Sequence, residues 1–140
     1  MKQKETLQQE LSRRRYKQPN AFFSWFYKTI MADIQIRKFN AKITMQDDIR
    51  KETNGAFLLW NHLSRLDHAY IVKALYPRKY NMVAGYCEFF RSHLAWVFKL
   101  HRIIPKKNFC LDPVGMKAIL SIIKQKGIVT MSPEGLATVT

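Results

Sequence analysis

The chain has 140 residues, with 24 Lys and Arg against 10 Asp and Glu for a formal charge of +14, 47% hydrophobic residues and 13% aromatic ones. That length holds one domain at most, and the apolar fraction excludes a disordered basic tail. The charge calls for an anionic partner: nucleic acid, an acidic membrane surface or a phosphate-bearing substrate.

Residues 1–20 carry Lys2, Lys4, Arg13, Arg14, Arg15 and Lys17 against Glu5 and Glu10, and read as a basic arm or exposed helix. In 21–54, Phe22, Phe23, Trp25, Phe26 and Tyr27 open an amphipathic helical segment flanked by cations. Rings beside Lys and Arg suit the headgroup layer of a bilayer, and equally an ordinary helix packed on a core. From 55 to 140 the pattern repeats. Phe57–Trp60 predicts a buried strand, and a helix from about Ser64 runs to Tyr76, ended by Pro77. Tyr80–Gly85 predicts a second strand, Phe89–Leu100 a second helix, and Arg102–Pro105 a third strand. Asp112 followed by Pro113 starts a third helix, with Lys124 and Lys126 in its last turn and Gly127 closing it; Ile128–Met131 is the fourth strand. Strands alternating with helices predict an α/β fold, a mostly parallel sheet with crossover helices, preceded by the basic and aromatic helical segment.

The two cysteines, Cys87 and Cys110, predict a reducing, cytosolic setting and buried thiols. The aromatic stretch Ala21 to Tyr27 is broken at Lys28 and Asp33, short of the roughly 20 apolar residues of a membrane span. No histidine stands at zinc-ligand spacing from a cysteine, and the glycines never cluster into a phosphate loop, so neither metal nor cofactor is expected.

In parallel sheets ligands bind beyond the carboxyl ends of the strands. Here those ends are Asn61 to Asp67, Tyr86 to Glu88, Pro105 to Asn108 and Ser132 to Gly135. A helix turns about 100° per residue, so His62 and Asp67 would point apart on one continuous helix. They meet if His62 lies in the loop and Ser64 caps a helix beginning at Arg65, letting Asp67 reach back to one imidazole nitrogen. That is a base held by an orienting carboxylate, able to activate a hydroxyl brought by the substrate. Ser64-x-x-Asp67 reads equally as a capping pair without chemistry.

Asn61-His62-x-x-x-x-Asp67 after an apolar strand, followed by Ser132-Pro133-Glu134-Gly135 at the fourth strand end, resembles the glycerolipid (lysophospholipid, 1-acylglycerol-3-phosphate) acyltransferase family. That family has an N-H-x-x-x-x-D block and a later F-P-E-G-T-R-S block; the likeness runs from about Gly55 to Gly135. It implies transfer of an acyl group from acyl-coenzyme A or acyl-carrier protein to the hydroxyl of a lysophospholipid-type acceptor. His62 would be general base and Asp67 its holder, on an anionic membrane surface, peripheral at its cytoplasmic face. Histidine suits that role because its ordinary pKa lies near neutrality. Glu134 and Gly135 match the acceptor-binding block, Lys106 or Lys107 stands near the family's phosphate-binding arginine, and Asn61 and Arg65 belong to the first block. Leu136-Ala137-Thr138 stands where the family has Thr-Arg-Ser, without the arginine that grips an acceptor phosphate. With the chain stopping at Thr140, the resemblance implies a truncated product with an unprotected sheet edge. Two further readings stay open: a catalytically inactive membrane-surface protein on the same scaffold, and a nucleic-acid-binding module, which no DNA- or RNA-reading motif supports, so that no nucleic acid is expected.

Overall fold

The computed structural model describes residues 9, 16–64, 67–91, 93, 95–107 and 109–133. Most of the basic arm therefore lies outside the described residues. Asn20 opens helix α1 (Ala21–Tyr27) by accepting the Phe22 backbone N–H on its side-chain oxygen at 3.0 Å. The helix continues through one wide π turn, Lys28–Asp33, into α2 (Ile34–Lys38). A π turn brings residues five apart onto one face, and Lys28 Nζ meets Asp33 Oδ2 there at 2.6 Å. Asp33 also accepts Lys73 Nζ at 2.7 Å, from α3 (Asp67–Leu75). Burial pushes the Asp33 carboxyl up, but the two lysines outweigh it and hold the group below the usual carboxylate range. The aromatic segment is thereby clamped to the domain. No helix among the described residues is long and apolar enough to cross a membrane.

Strands β1 (Ala56–Leu59), β2 (Tyr80–Gly85), β3 (Ile104–Lys106) and β4 (Ile128–Met131) form one all-parallel sheet in the order β1-β4-β2-β3. The α/β fold read from the sequence is the fold observed. Helix α3 links β1 to β2; α4 (Glu88–Arg91) and α5 (Ala95–Leu100) link β2 to β3; α6 (Pro113–Lys124) links β3 to β4. Strand alternation divides the core between the two faces of the sheet. Tyr80, Met82 and Ile128 pack with Tyr27, Ala69, Val72, Leu75, Phe89 and Val97, whereas Val83, Ile104 and Val129 pack with Ala118 and Ile122 of α6.

Several boundaries depart from the sequence reading. The single helix predicted over Phe89–Leu100 is two, α4 and α5. Phe89 and Phe98 are nine residues apart, about 180° round one continuous helix, yet their rings meet edge-on at 5.5 Å. Breaking the helix lets both rings join one core. The third strand starts at Ile104 because Arg102 turns in the left-handed region at φ 55°. Asp112 caps α6 as predicted, accepting the Gly115 N–H at 2.9 Å with Pro113 at the first helical position. At the other end the left-handed residue is Lys126 (φ 59°) rather than Gly127. Gly127 instead donates its N–H to Ile122 O at 2.9 Å, the six-to-one closure of a helix end. Cys87 and Cys110, predicted to be buried, are exposed, because both sit in turns beyond the strand ends where the chain has left the core.

His101 is buried on the α1 side, 2% exposed, with its ring 4.6 Å from that of Tyr27 and 5.2 Å from that of Tyr80. Neither ring nitrogen has a hydrogen-bond partner among the described residues. Burial pushes the imidazole pKa down to about 4 and the Tyr27 phenol up to about 12.

Gly55 enters β1 where a Cβ would fall 2.1 Å from the Ile123 carbonyl oxygen. Gly55→Ala should therefore push β1 away from the end of α6 and cost about 2 kcal/mol. A thermal melt reads this as a Tm lower by several degrees; an unchanged Tm would refute the close approach.

Candidate functional site

The site is built where β1 runs out. Trp60 extends the parallel register by donating its N–H to Met131 O at 3.3 Å, and its ring packs edge-on against His62 at 5.1 Å. Asn61 and Leu63 on either side of His62 are exposed, while His62 itself is partly covered. The chain then turns at Ser64, and the described part of α3 begins at Asp67.

Asp67 organises this turn. Its Oδ2 accepts the Leu63 N–H at 2.6 Å, the Ser64 N–H at 2.7 Å and His62 Nδ1 at 3.2 Å, while Oδ1 accepts the Ser64 hydroxyl at 3.0 Å. The acid-to-backbone half of a capping box is present, and the Ser64 hydroxyl also donates to the carboxylate. Burial pushes the Asp67 carboxyl up; hydrogen bonds from Ser64, His62 and Leu63 outweigh it and keep the group below the usual carboxylate range. An ionised carboxylate only accepts, so Nδ1 is the donor in this pair and the imidazole is fixed in the Nδ1–H tautomer. One carboxylate thus both braces the turn and holds the imidazole.

The strand order decides what else lies close. β4 is the neighbour of β1, so Ser132 follows the strand end beside Trp60. Lys106 ends β3, the opposite edge of the sheet, and Lys107 follows it. With β4 and β2 between, β3 lies about 14 Å from β1 at the ~4.8 Å spacing of strands. Lys106 and Lys107 therefore share the carboxyl end of the sheet with His62 without touching it. Arg65, Glu134 and Gly135 lie outside the described residues. Among the described residues no three His, Cys, Asp or Glu side chains gather as metal ligands.

Two groups to which the sequence reading assigned no role belong here. Trp60 Nε1 and Ser132 Oγ are buried without a hydrogen-bond partner among the described residues, at the adjoining ends of β1 and β4. The only sequence signal was positional: each is the last residue of, or the first after, an apolar run. Away from this site, an apolar cavity of about 140 Å³ opens between α1 and α5, lined by Phe22, Phe23, Phe26, Trp96 and Leu100 among others. No protein-family model, curated protein or solved structure matches the chain.

Proposed function

We propose that the chain is an acyltransferase of the glycerolipid type. It moves a fatty acyl group from acyl-coenzyme A or acyl-carrier protein to the hydroxyl of a lysophospholipid-type acceptor, peripherally at the cytoplasmic face of a membrane. The observation that carries this reading is the His62–Asp67 pair at a strand's carboxyl end, with Nδ1 held at 3.2 Å and the basic lone pair consequently on Nε2. In the proposed reaction Nε2 takes the acceptor's hydroxyl proton as its oxygen attacks the thioester carbonyl. The tetrahedral intermediate then expels the thiolate, which receives that proton from the imidazolium. Trp60 Nε1–H and the Ser132 hydroxyl, each without another partner among the described residues, are the donors assigned to the oxyanion. Asn61, Arg65, Lys106, Lys107, Glu134 and Gly135 are assigned to substrate binding by their place in the motif blocks.

The membrane part of the reading is supported by α1. Phe22, Trp25 and Phe26 are exposed on it, beside an apolar cavity, in a chain of charge +14. Aromatic rings with neighbouring cations favour an anionic lipid interface. The test is thiol release from a long-chain acyl-coenzyme A, followed with and without a lysophospholipid. Release that depends on the acceptor and yields the diacyl product supports the reading. Release indifferent to the acceptor, or none, rejects it.

A further inference from the structure

Phe109 and Leu111 are 96% and 91% exposed, the most exposed of the large apolar side chains described. The fold gives no reason for a ring at position 109. Its backbone is left-handed, φ 58°, a conformation that a bulky residue seldom adopts and that Asn or Gly would fit better. The turn is nonetheless braced. Asp112 Oδ2 accepts the Lys107 N–H at 2.9 Å, while its Oδ1 accepts the Gly115 N–H at 2.9 Å and caps α6. Two apolar tips are thus held out from a fixed stem, directly after Lys106 and Lys107. Leu63, next to His62, and Phe90, just beyond β2, are also exposed, at 68% and 59%. Because every strand runs the same way, the segments carrying these four side chains all leave the same end of the sheet. Single exposed apolar residues are ordinary; four at the end that bears the site are not.

We propose that this carboxyl-end rim docks on an anionic phospholipid bilayer, with Phe109 and Leu111 entering the interface and the adjacent lysines meeting the headgroups. The proposal rests on the membrane-surface reading above and adds to α1 a second lipid-contacting surface, the one that bears the site. Charge complementarity selects the occupant: a chain of +14 presents lysines beside its apolar tips. Two of the four tips are aliphatic, which gives them no stacking face for a nucleobase and every reason to enter acyl carbon. Docked this way, the end carrying His62 faces the membrane plane, where a lysophospholipid hydroxyl already lies.

The test uses the whole chain with Cys87→Ser and an environment-sensitive fluorophore on Cys110, between the two tips. Vesicles of equal phosphatidylcholine and phosphatidylglycerol should shift its emission to the blue, pure phosphatidylcholine should not, and high salt should reverse the change. In co-sedimentation of unlabelled protein, Phe109→Asn with Leu111→Asn should weaken partition to the anionic vesicles at least tenfold. Its Tm should be equal or higher, since Asn tolerates the left-handed turn. An emission that anionic vesicles leave unchanged, a double variant binding within twofold of the parent, or a shift produced by an oligonucleotide instead of vesicles overturns the proposal. Acyl transfer is scored apart, with a water-soluble acceptor and no vesicles. Docking without transfer rejects only the enzymatic reading, and transfer without docking rejects only the rim.

Discussion

Replacing His62 by Ala should reduce acceptor-dependent thiol release by about a thousandfold or more, while circular dichroism and Tm stay close to those of the parent chain. The rate loss is that of removing a general base whose proton transfer is part of the rate-limiting attack. The fold should survive because the loop does not hang on the imidazole: Asp67 keeps the Leu63 and Ser64 N–H groups at 2.6 and 2.7 Å. The loss should appear in kcat, with the acyl-coenzyme A KM little changed. Asp67→Asn should slow turnover by about 10²–10⁴-fold, because a neutral amide no longer demands the Nδ1–H tautomer, and should also loosen the turn. Retention of more than a tenth of the parent rate by the Ala variant would refute the assignment of the base.

Acidification should destabilise the fold well above the carboxylate range. The His101 pKa stands at about 4 in the folded chain, against about 6.5 in an unfolded one. Between those values the unfolded state binds a proton that the native state refuses, so stability is complete above about pH 6.5 and is lost as the pH falls towards 4. A gap of about 2.5 units corresponds to about 3 kcal/mol at the acid end. Asp33 and Asp67, both depressed, add losses of the same sign only at lower pH. Urea unfolding at pH 7, 5.5 and 4.5 measures the slope. His101→Phe, which removes the proton site and two unpartnered buried nitrogens, should flatten it. Equal slopes in the two proteins would show that another group is responsible. At the alkaline end, Tyr27 and Tyr80, both raised by burial, should cost stability from about pH 10 upward, where the unfolded phenols ionise first.

Local signals told the truth about local structure. Asp112-Pro113 opens a helix because a carboxylate followed by a residue without N–H satisfies that end wherever it occurs. The apolar runs at 80–85 and 128–131 became strands that are largely buried, whereas β1, at the edge of the sheet, is covered on one face only: Phe57 and Leu59, expected to be buried, are exposed. The His62–Asp67 contact was legible because it is decided within six residues of a strand end. What the sequence left hidden depends on distant partners. The periodicity of 89–100 suits one helix, and only the meeting of Phe89 with Phe98 breaks it. Lys106 and Lys107 look like neighbours of His62 until the strand order separates them. The buried donors of Trp60 and Ser132 acquire meaning only when β1 and β4 lie side by side, and the burial of His101 depends on the Tyr27 and Tyr80 rings, which sit far away along the chain.

The place of β4 in the sheet governs the order of events during synthesis. The strand leading to His62 has β4 as its partner, with Ala56 opposite Ile128, and β4 is the last of the four to be made. β2 and β3 are near neighbours along the chain and can zip together early, whereas closing the long loop between β1 and β4 carries the larger entropic penalty and comes late. Until Met131 clears the ribosome, the strand bearing the imidazole has no described partner to pair with. A nascent chain at that stage would be catalytically silent in the proposed reaction, with the apolar residues of β1 open to chaperones.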